Sequence, residues 1–550
     1  MFARTERSEW RFVILFALGM LVVTNLPYLF GHLTSPDDWV FMGVAYGVSD
    51  TAQYFSWLHD FQDHFFIDNH LTPEPNAKIF MNLQWWLLAQ LARILRLTHV
   101  QVFHVFRASA IAAFALVTYW FISLYFAERR HRCTAFLITQ VGSGLGWFWV
   151  VIKYLTHSPD VAFPFDLYTI EPNSFLSQMA FPHFTAAAVL IILVFGLMMI
   201  ATERQQWRYA LAASGVALIL GLLHAYDLLL VYVIVGLYVL FVWLRDGFSW
   251  RMFWQLFVLG IISCGPAFYS VYMTSSRFPV WHAVLAQFDL AGAWTVDPFH
   301  LLLLMGLPFI IALMGFDGLV PLRGRSLPQI FVRVWFLANL FLVYLPVNFQ
   351  IHYLNGWQLP IAILATEVLY RRIVPFAGKW SVCRVRTWAK WLPAVLVLAV
   401  LPTNLYLLAW RFVDLGRYRH PYFIHRDEDT ALQWLADRAS ADQVVFCARA
   451  VGQYVPSRTG ARPFLGHWAM TKDLHEKHNL VASFFDVTTT DAERKAVLSD
   501  FGVDYVLWGT AERELGEFDL SSVSYLSPCF TAPKATVYCV QETQLAITEP

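Results

Sequence analysis

The sequence predicts an α-helical polytopic membrane protein that ends in a small α/β domain. Three observations carry this. The 550 residues are 58% hydrophobic and 14% charged, against roughly 25% charged in soluble domains, and mean hydropathy is +0.50. Apolar runs near 20 residues long recur between residues 12 and 411, the length that crosses a bilayer as a helix. Beyond residue 412 charged residues become frequent and apolar segments shorten. Aromatics reach 17%, with Trp and Tyr gathered at run ends, as interfacial anchoring requires. Formal net charge is zero, which removes the electrostatic case for nucleic acid as a partner.

The first apolar run, 12–30, follows Arg4, Arg7 and Arg11. No small-residue cleavage site closes it, so it reads as a membrane helix with a cytoplasmic N-terminus. The loop after it is then outside. The segment 79–97 is apolar but interrupted by Gln84, Gln90, Arg93 and Arg96. If it crossed the membrane, Arg129, Arg130 and Arg132 would fall outside, against the positive-inside rule. It is therefore expected to be a surface helix within an outer loop covering 31–102. Spans follow at 103–127, 133–152, 183–201, 209–223, 228–244, 252–273, 299–316, 330–347, 357–370 and 391–411. Arg204, Arg208, Arg245, Arg251, Arg323, Arg371 and Lys379 mark the cytoplasmic ends. The total is about eleven spans. The expected domains are 1–411 in the membrane and 412–550 as an extracytoplasmic α/β domain. The membrane is expected to be a bacterial inner or plasma membrane.

In the tail, Asp427-Glu428-Asp429 opens a helix with acidic first-turn residues. Helical patterns cover 471–485 and 491–501, and strands cover 443–448, 503–507 and 535–540. The tail contains no G-x-G-x-x-G, P-loop or G-x-S-x-G motif, and the chain has no internal repeats. No cysteine spacing suggests a zinc site. Cys133, Cys264 and Cys383 read as packing residues, and a Cys529–Cys539 disulfide is open to the tail if it lies outside.

Polar groups at helix mouths are costly, so they suggest function. Residues 31–78 hold Asp37, Asp38, Asp50, Asp60, Asp63, Asp68 and Glu74 against one Lys or Arg, Lys78. Asp50 stands out because it follows Gly47-Val-Ser, a plausible helix start, and shares a face with Tyr54 at i+4. Asp37, Asp38 and Glu74 are reserves. Any of these carboxylates also reads as loop solvation. In the second outer loop, 153–181, Asp160 and Asp166 accompany Glu171, a candidate second acid or a metal ligand with His183; the bland alternative is a turn carboxylate and a capping histidine. His224 and Asp227 interrupt an apolar stretch, as site residues or as an interhelical hydrogen bond. Gln350 and His352 follow Pro346 at another outer mouth, placed to meet a phosphate. Gly142-Ser-Gly-Leu-Gly146 reads as a close helix contact rather than a nucleotide loop.

Carboxylates clustered outside the membrane suit transfer of a sugar from a lipid-linked donor. One carboxylate deprotonates the acceptor hydroxyl as it attacks the anomeric carbon. The leaving phosphate needs donors, cations or a metal. With these residues in view, the chain resembles the GT-C superfamily of membrane glycosyltransferases, which includes protein O-mannosyltransferases and lipid A aminoarabinose transferases. The resemblance rests on helix 1, on Asp50-x-x-x-Tyr54, on Thr72-Pro-Glu-Pro and the surface helix, on Arg107, and on Leu345-Pro-Val-Asn-Phe-Gln350 and Gly466-His467-Trp468. It implies a GT-C-like fold and inverting transfer from a polyprenyl-phosphate sugar to a glycan, lipid or protein acceptor among membrane lipids. It also implies a first-loop Asp as base, matched by Asp50. Many members carry an Asp-Glu pair there; here Thr51 follows Asp50, so a second acid comes from elsewhere, with Glu171 the candidate. Some members use a divalent ion such as Mg or Mn and others do not. The rival readings are a lipid or glycan transporter or flippase, and a non-catalytic membrane assembly subunit.

Overall fold

A computed structural model describes residues 5–157, 167, 169–291, 294–316, 325–378 and 389–541. Asp160, Asp166, Arg323, Lys379 and Cys383 lie outside the described residues. The chain is a mostly helical, multi-span membrane protein with a small mixed-sheet domain near its C-terminus.

Among the described residues, six helices are long and apolar enough to cross a membrane. They are α1 (Arg7–Thr34), α4 (His99–Tyr125), α8 (Pro182–Arg204), α10 (Asp227–Asp246), the segment Trp250–Met273, and Ala389–Leu415. A bent pair, α5 (Arg129–Val141) with α6 (Gly146–Thr156), turns by 46° and makes a seventh if counted as one span. The bend falls on the glycine run. A Cβ on Gly142 would lie 3.1 Å from Gln358 Oε1, on α16 (Gln358–Val368). Three further apolar helices are shorter: α9 (Trp207–Leu223), α14 (Pro298–Leu313) and α15 (Leu327–Leu342). At 1.5 Å per residue, 16 or 17 residues rise about 25 Å, less than the ~30 Å hydrocarbon core. α14 is also broken at Gly306, whose φ of 72° no side chain favours. Helix α3 (Leu83–Leu95) has 13 residues, about 20 Å and too short to span. It buries Trp85, Ala89 and Ala92 and exposes Leu87, Ile94 and Leu95.

The chain forms two compact units that do not follow chain order. The first comprises Met1–Leu26, Val105–Tyr269 and Ala293–Trp410. Its core is apolar and aromatic, with Trp335 packed edge-on against Phe121 and Phe195 at 5.8 and 4.7 Å. Arg107 is fully buried and donates to Thr24 Oγ1 at 2.9 Å and to Asn25. That makes it a tie between α4 and α1.

The second unit comprises Pro27–His104, Ser270–Gly292 and Arg411–Pro550. Strand β1 (Trp39–Phe41) of the first loop pairs antiparallel with β2 (Phe423–His425) of the tail, Val40 opposite Ile424. A five-stranded sheet follows, in the order β4 (Arg462–Pro463), β3 (Val444–Phe446), β5 (Val503–Trp508), β7 (Thr536–Val540), β6 (Leu526–Thr531). The β4–β3–β5 part is parallel and the β5–β7–β6 part antiparallel. Phe446, Phe464, Phe484 and Leu498 fill its core. Cys529 and Cys539 join β6 to β7 as a disulfide. The acidic helix start is realised in Arg426–Ala436, where His425 and Glu428 form a reciprocal cap.

A buried ionic network ties the first loop to β4. Asp68 pairs with Arg462. His70 lies between Asp60 at 3.2 Å and Asp68 at 3.3 Å. Burial opposes charge on His70, but the two carboxylates prevail and hold it up to about 9. Burial also opposes charge on Asp68; His70 and Arg462 outweigh it and hold that carboxyl far below the usual carboxylate range. Buried charges persist only when paired in this way.

Candidate active site

Asp50 stands in the first turn of α2 (Val48–Asp60). The helix starts sharply because Gly47, at φ 58° and ψ 49°, occupies the left-handed region that glycine tolerates. The unpaired N–H groups of a first turn complement a negative charge there. Asp50 Oδ1 accepts a 2.9 Å hydrogen bond from the indole N–H of Trp468. His467 Nε2 lies 3.4 Å from the same oxygen. The tautomer of His467 follows from its other nitrogen. Nδ1 accepts the backbone N–H groups of Ala469 and Met470, both at 3.1 Å, so a neutral ring carries its proton on Nε2, facing Asp50. The second carboxylate oxygen, Oδ2, has no protein partner among the described residues, and the side chain is 33% exposed.

The loop that supplies His467 and Trp468 is held from several sides. The hydroxyl of Thr471 accepts from the N–H groups of Gly466 and His467 and donates to the carbonyl of Leu71 at 2.7 Å. Gln287 donates to the carbonyl of Thr471 at 2.9 Å and accepts from the N–H of Leu474 at 3.2 Å. His467 itself is 2% exposed. The donors around Asp50 are thus pre-positioned.

The other first-loop candidates fall into different surroundings. Tyr54 stacks on Trp85 with ring centroids 4.6 Å apart. Asp37 and Asp38 expose their side chains and use their backbone carbonyls to accept from Arg426. Glu74 is bound to Thr72 and to the buried Lys477, which makes it an anchor between loop and tail.

In the first unit a second polar cluster forms at helix ends. Glu171, 6% exposed, accepts from or pairs with His352 Nδ1 at 2.6 Å. His352 lies in a 3-10 turn, Gln350–Leu354. Its ring stacks on Tyr226 at 4.7 Å and on Phe184 at 5.6 Å. His224 Nδ1 is 3.3 Å from Asp227 Oδ2 and 3.1 Å from the Tyr226 hydroxyl. The rings of His183 and His224 are 5.4 Å apart. Gln350 behaves differently from the expected phosphate contact. Its Nε2 donates to the carbonyl of Leu345 at 2.7 Å, and its Oε1 accepts from the N–H of Thr295 at 3.2 Å. Both ends of the amide are engaged in holding backbone.

Glu171 is paired with His352 and His183 adjoins His224, so the expected Glu171–His183 ligand pair is not what these elements build. No group of three or more His, Cys, Asp or Glu side chains is arranged to hold a metal ion among the described residues. Asp50 Oδ1 accepts from the Trp468 indole and has His467 Nε2 at 3.4 Å, an environment that favours the ionised carboxylate.

His467 and Trp468 contact the Asp50 carboxylate but were not among the residues singled out from the sequence. Their signal was present, since Gly466-His467-Trp468 is one of the stretches that carries the resemblance, but its 418-residue separation from Asp50 hides the contact.

No family model and no curated protein matches the sequence. Solved structures do match. ArnT from Cupriavidus metallidurans, bound to undecaprenyl phosphate, is 15% identical, with 99% of each chain covered and a TM-score of 0.50. The archaeal oligosaccharyltransferase AglB from Archaeoglobus fulgidus, in complex with an inhibitory peptide and a dolichol-phosphate, is 14% identical. The match covers 97% of this chain and 75% of AglB, with a TM-score of 0.53. The arabinofuranosyltransferase AftD from Mycobacteria is 13% identical over 98% of this chain and 40% of its own, with a TM-score of 0.54. At these identities the likeness speaks for fold, and over nearly its whole length this chain has the fold of the GT-C membrane glycosyltransferases.

Proposed function

We propose that this protein transfers a sugar from a polyprenyl-phosphate donor to an acceptor hydroxyl, with Asp50 as the general base. The observation that carries the reading is the asymmetry of the Asp50 carboxylate. One oxygen is held by Trp468 and faced by His467, and the other is open at a third-exposed position. In the reaction the acceptor oxygen attacks the anomeric carbon as its proton passes to Asp50 Oδ2. The bond between the anomeric carbon and the phosphate oxygen breaks, and polyprenyl phosphate leaves. A single displacement inverts the anomeric centre. The undecaprenyl phosphate of ArnT and the dolichol-phosphate of AglB support a carrier of this class.

The leaving phosphate needs a cationic or hydrogen-bonding partner. Within the first unit, His352, oriented by Glu171 and with His224 beside it, is a partner of that kind. Glu171 is then a positioning residue and not a second base. The acceptor is a glycan, lipid or protein hydroxyl in the cell envelope. The arginine pattern supports a cytoplasmic N-terminus, and the Cys529–Cys539 disulfide supports an extracytoplasmic tail.

The test uses membranes supplied with polyprenyl-phosphate sugar. Asp50→Asn should keep the fold and lose transfer. If Asp50→Asn membranes transfer sugar at the wild-type rate, the base assignment is wrong.

A further inference from the structure

Beside the Glu171–His352 pair, the first unit encloses a space of about 10 Å³, the size of one water-sized occupant. Thr139 of α5, Glu171, Ser177 of the short helix Ser174–Ala180, Thr185 of α8, Asn355 and Gln358 of α16 line it. Each is more than nine-tenths buried.

The hydrogen bonds of these side chains share a direction. Gln358 Nε2 donates to the Pro172 carbonyl at 2.6 Å, and Asn355 Nδ2 to the Phe184 carbonyl at 3.2 Å. The Thr139 hydroxyl donates to the Ala135 carbonyl at 2.8 Å, and the Ser177 hydroxyl to the Ile170 carbonyl at 3.0 Å. A carbonyl only accepts, so these partners fix which way each amide faces and use the hydroxyl protons. What the four groups keep is oxygen lone pairs. Gln358 Oε1 and the Thr185 hydroxyl are buried with no hydrogen-bond partner among the described residues, an arrangement that costs stability unless something meets them.

Glu171 adds a charge to these oxygens. A neutral His352 with its proton on Nδ1 satisfies one Glu171 oxygen and leaves that charge uncompensated. No lysine or arginine lines the space among the described residues. Neutral oxygens around a carboxylate suit a hard cation. Mg²⁺ keeps several of its waters, for which this space has no room, and Ca²⁺ leaves a surplus positive charge buried. A lone water satisfies Gln358 Oε1 but not the charge. We propose that this pocket binds a sodium ion on Glu171, Gln358 Oε1 and the Thr185 hydroxyl, tying α8 and α16 to the loop that carries Glu171. The assignment does not depend on sugar transfer or on the Asp50 chemistry.

Thermal unfolding of the full-length protein in detergent tests it, in sodium chloride and in choline chloride at equal ionic strength. The unfolding temperature should rise with sodium and saturate, as binding to the folded state requires. Thr185→Val keeps the shape and removes the hydroxyl. Without an ion the loss of an unpartnered buried hydroxyl costs nothing, so in choline chloride the variant should unfold at or above the wild-type temperature. In sodium chloride it should unfold below it, with half-saturation at about tenfold more sodium, the order of one contact to a charged group. Glu171→Gln should lose the sodium-dependent rise altogether. If Thr185→Val unfolds below wild type even in choline chloride, sodium NMR linewidths of wild type and Glu171→Gln decide: broadening in wild type alone supports the site, and equal linewidths overturn it. Equal wild-type unfolding temperatures in the two salts overturn the proposal, as does an unchanged sodium response in Glu171→Gln. A rise that potassium chloride matches overturns the assignment to sodium.

Discussion

Asp50, in the first turn of α2, and Glu171, in the turn before the helix Ser174–Ala180, are both carboxylates close to polar aromatic neighbours, yet the protein treats them in opposite ways. Asp50 keeps a third of its side chain exposed and one oxygen open, while the other accepts from the Trp468 indole N–H and has His467 Nε2 at 3.4 Å. Glu171 is 6% exposed and bound to an imidazole. A general base needs an oxygen to which a proton can move, whereas an orienting carboxylate is useful when packing holds it in one place. The difference suggests a division of labour: Asp50 for proton transfer and Glu171 for setting His352. Four experiments probe that contrast and the scaffold beneath it.

The largest effect is expected at Asp50. Asp50→Asn should lower kcat by about 10²–10⁴-fold, the range of a lost general base, with the unfolding temperature unchanged. Glu171→Gln should not reproduce this. If the two variants lose kcat equally, the assigned roles are wrong.

Arg462→Ala comes next and acts on stability. It strands the buried Asp68 and His70 network and should cost about 3–5 kcal/mol, read by thermal or denaturant unfolding. The network also gives a pH signature. His70 is raised to about 9 from an ordinary 6.5. Its contribution is therefore complete below about pH 6.5 and lost as pH rises through 9. Asp68, held low, contributes above the ordinary carboxylate range and loses that contribution in acid. The gap in unfolding temperature between wild type and His70→Gln should be widest near pH 6 and close by pH 9 to 10.

His352→Gln should raise the donor KM about tenfold, the value of one hydrogen bond to a charged group, with a smaller change in kcat. Glu171→Gln should shift the same parameter in the same direction. An unchanged donor KM in both variants would remove the phosphate role from this cluster.

The smallest effect is expected at Trp468. Trp468→Phe keeps the ring and removes the N–H donor to Asp50. A fall of about fivefold in kcat, with KM near wild type, is expected, within the range of one ordinary hydrogen bond at a partly exposed position. Steady-state kinetics with a lipid-linked donor separates this from a folding defect.

The membrane character of the chain was legible in composition and run length, because a bilayer demands long apolar helices wherever the chain crosses it. The sheet strands β3, β5 and β7, and the helix after His425 were legible for similarly local reasons, whereas the break at Gly142 was not: its glycine run read as a helix contact inside a continuous span at 133–152. Asp50 was legible as a candidate, since a glycine-led helix start and an i+4 aromatic lie within a few residues of it. Strands β1 and β2 were not. Each has three residues, and neither has a pattern of its own until the other pairs with it. The role of Gln350 was hidden for a related reason: an amide looks the same in sequence whether it binds a ligand or holds two backbone groups.

From the sequence alone came a multi-span membrane protein, an acidic first loop and a preferred carboxylate. Tertiary structure alone decided what that carboxylate touches. Asp50 and Trp468 are separated by 418 residues, and no local preference encodes a hydrogen bond across that interval. It exists because β1–β2 pairing and the buried Asp68–Arg462 pair bring the loop and the tail into one unit. There, packing fixes which polar groups face one another.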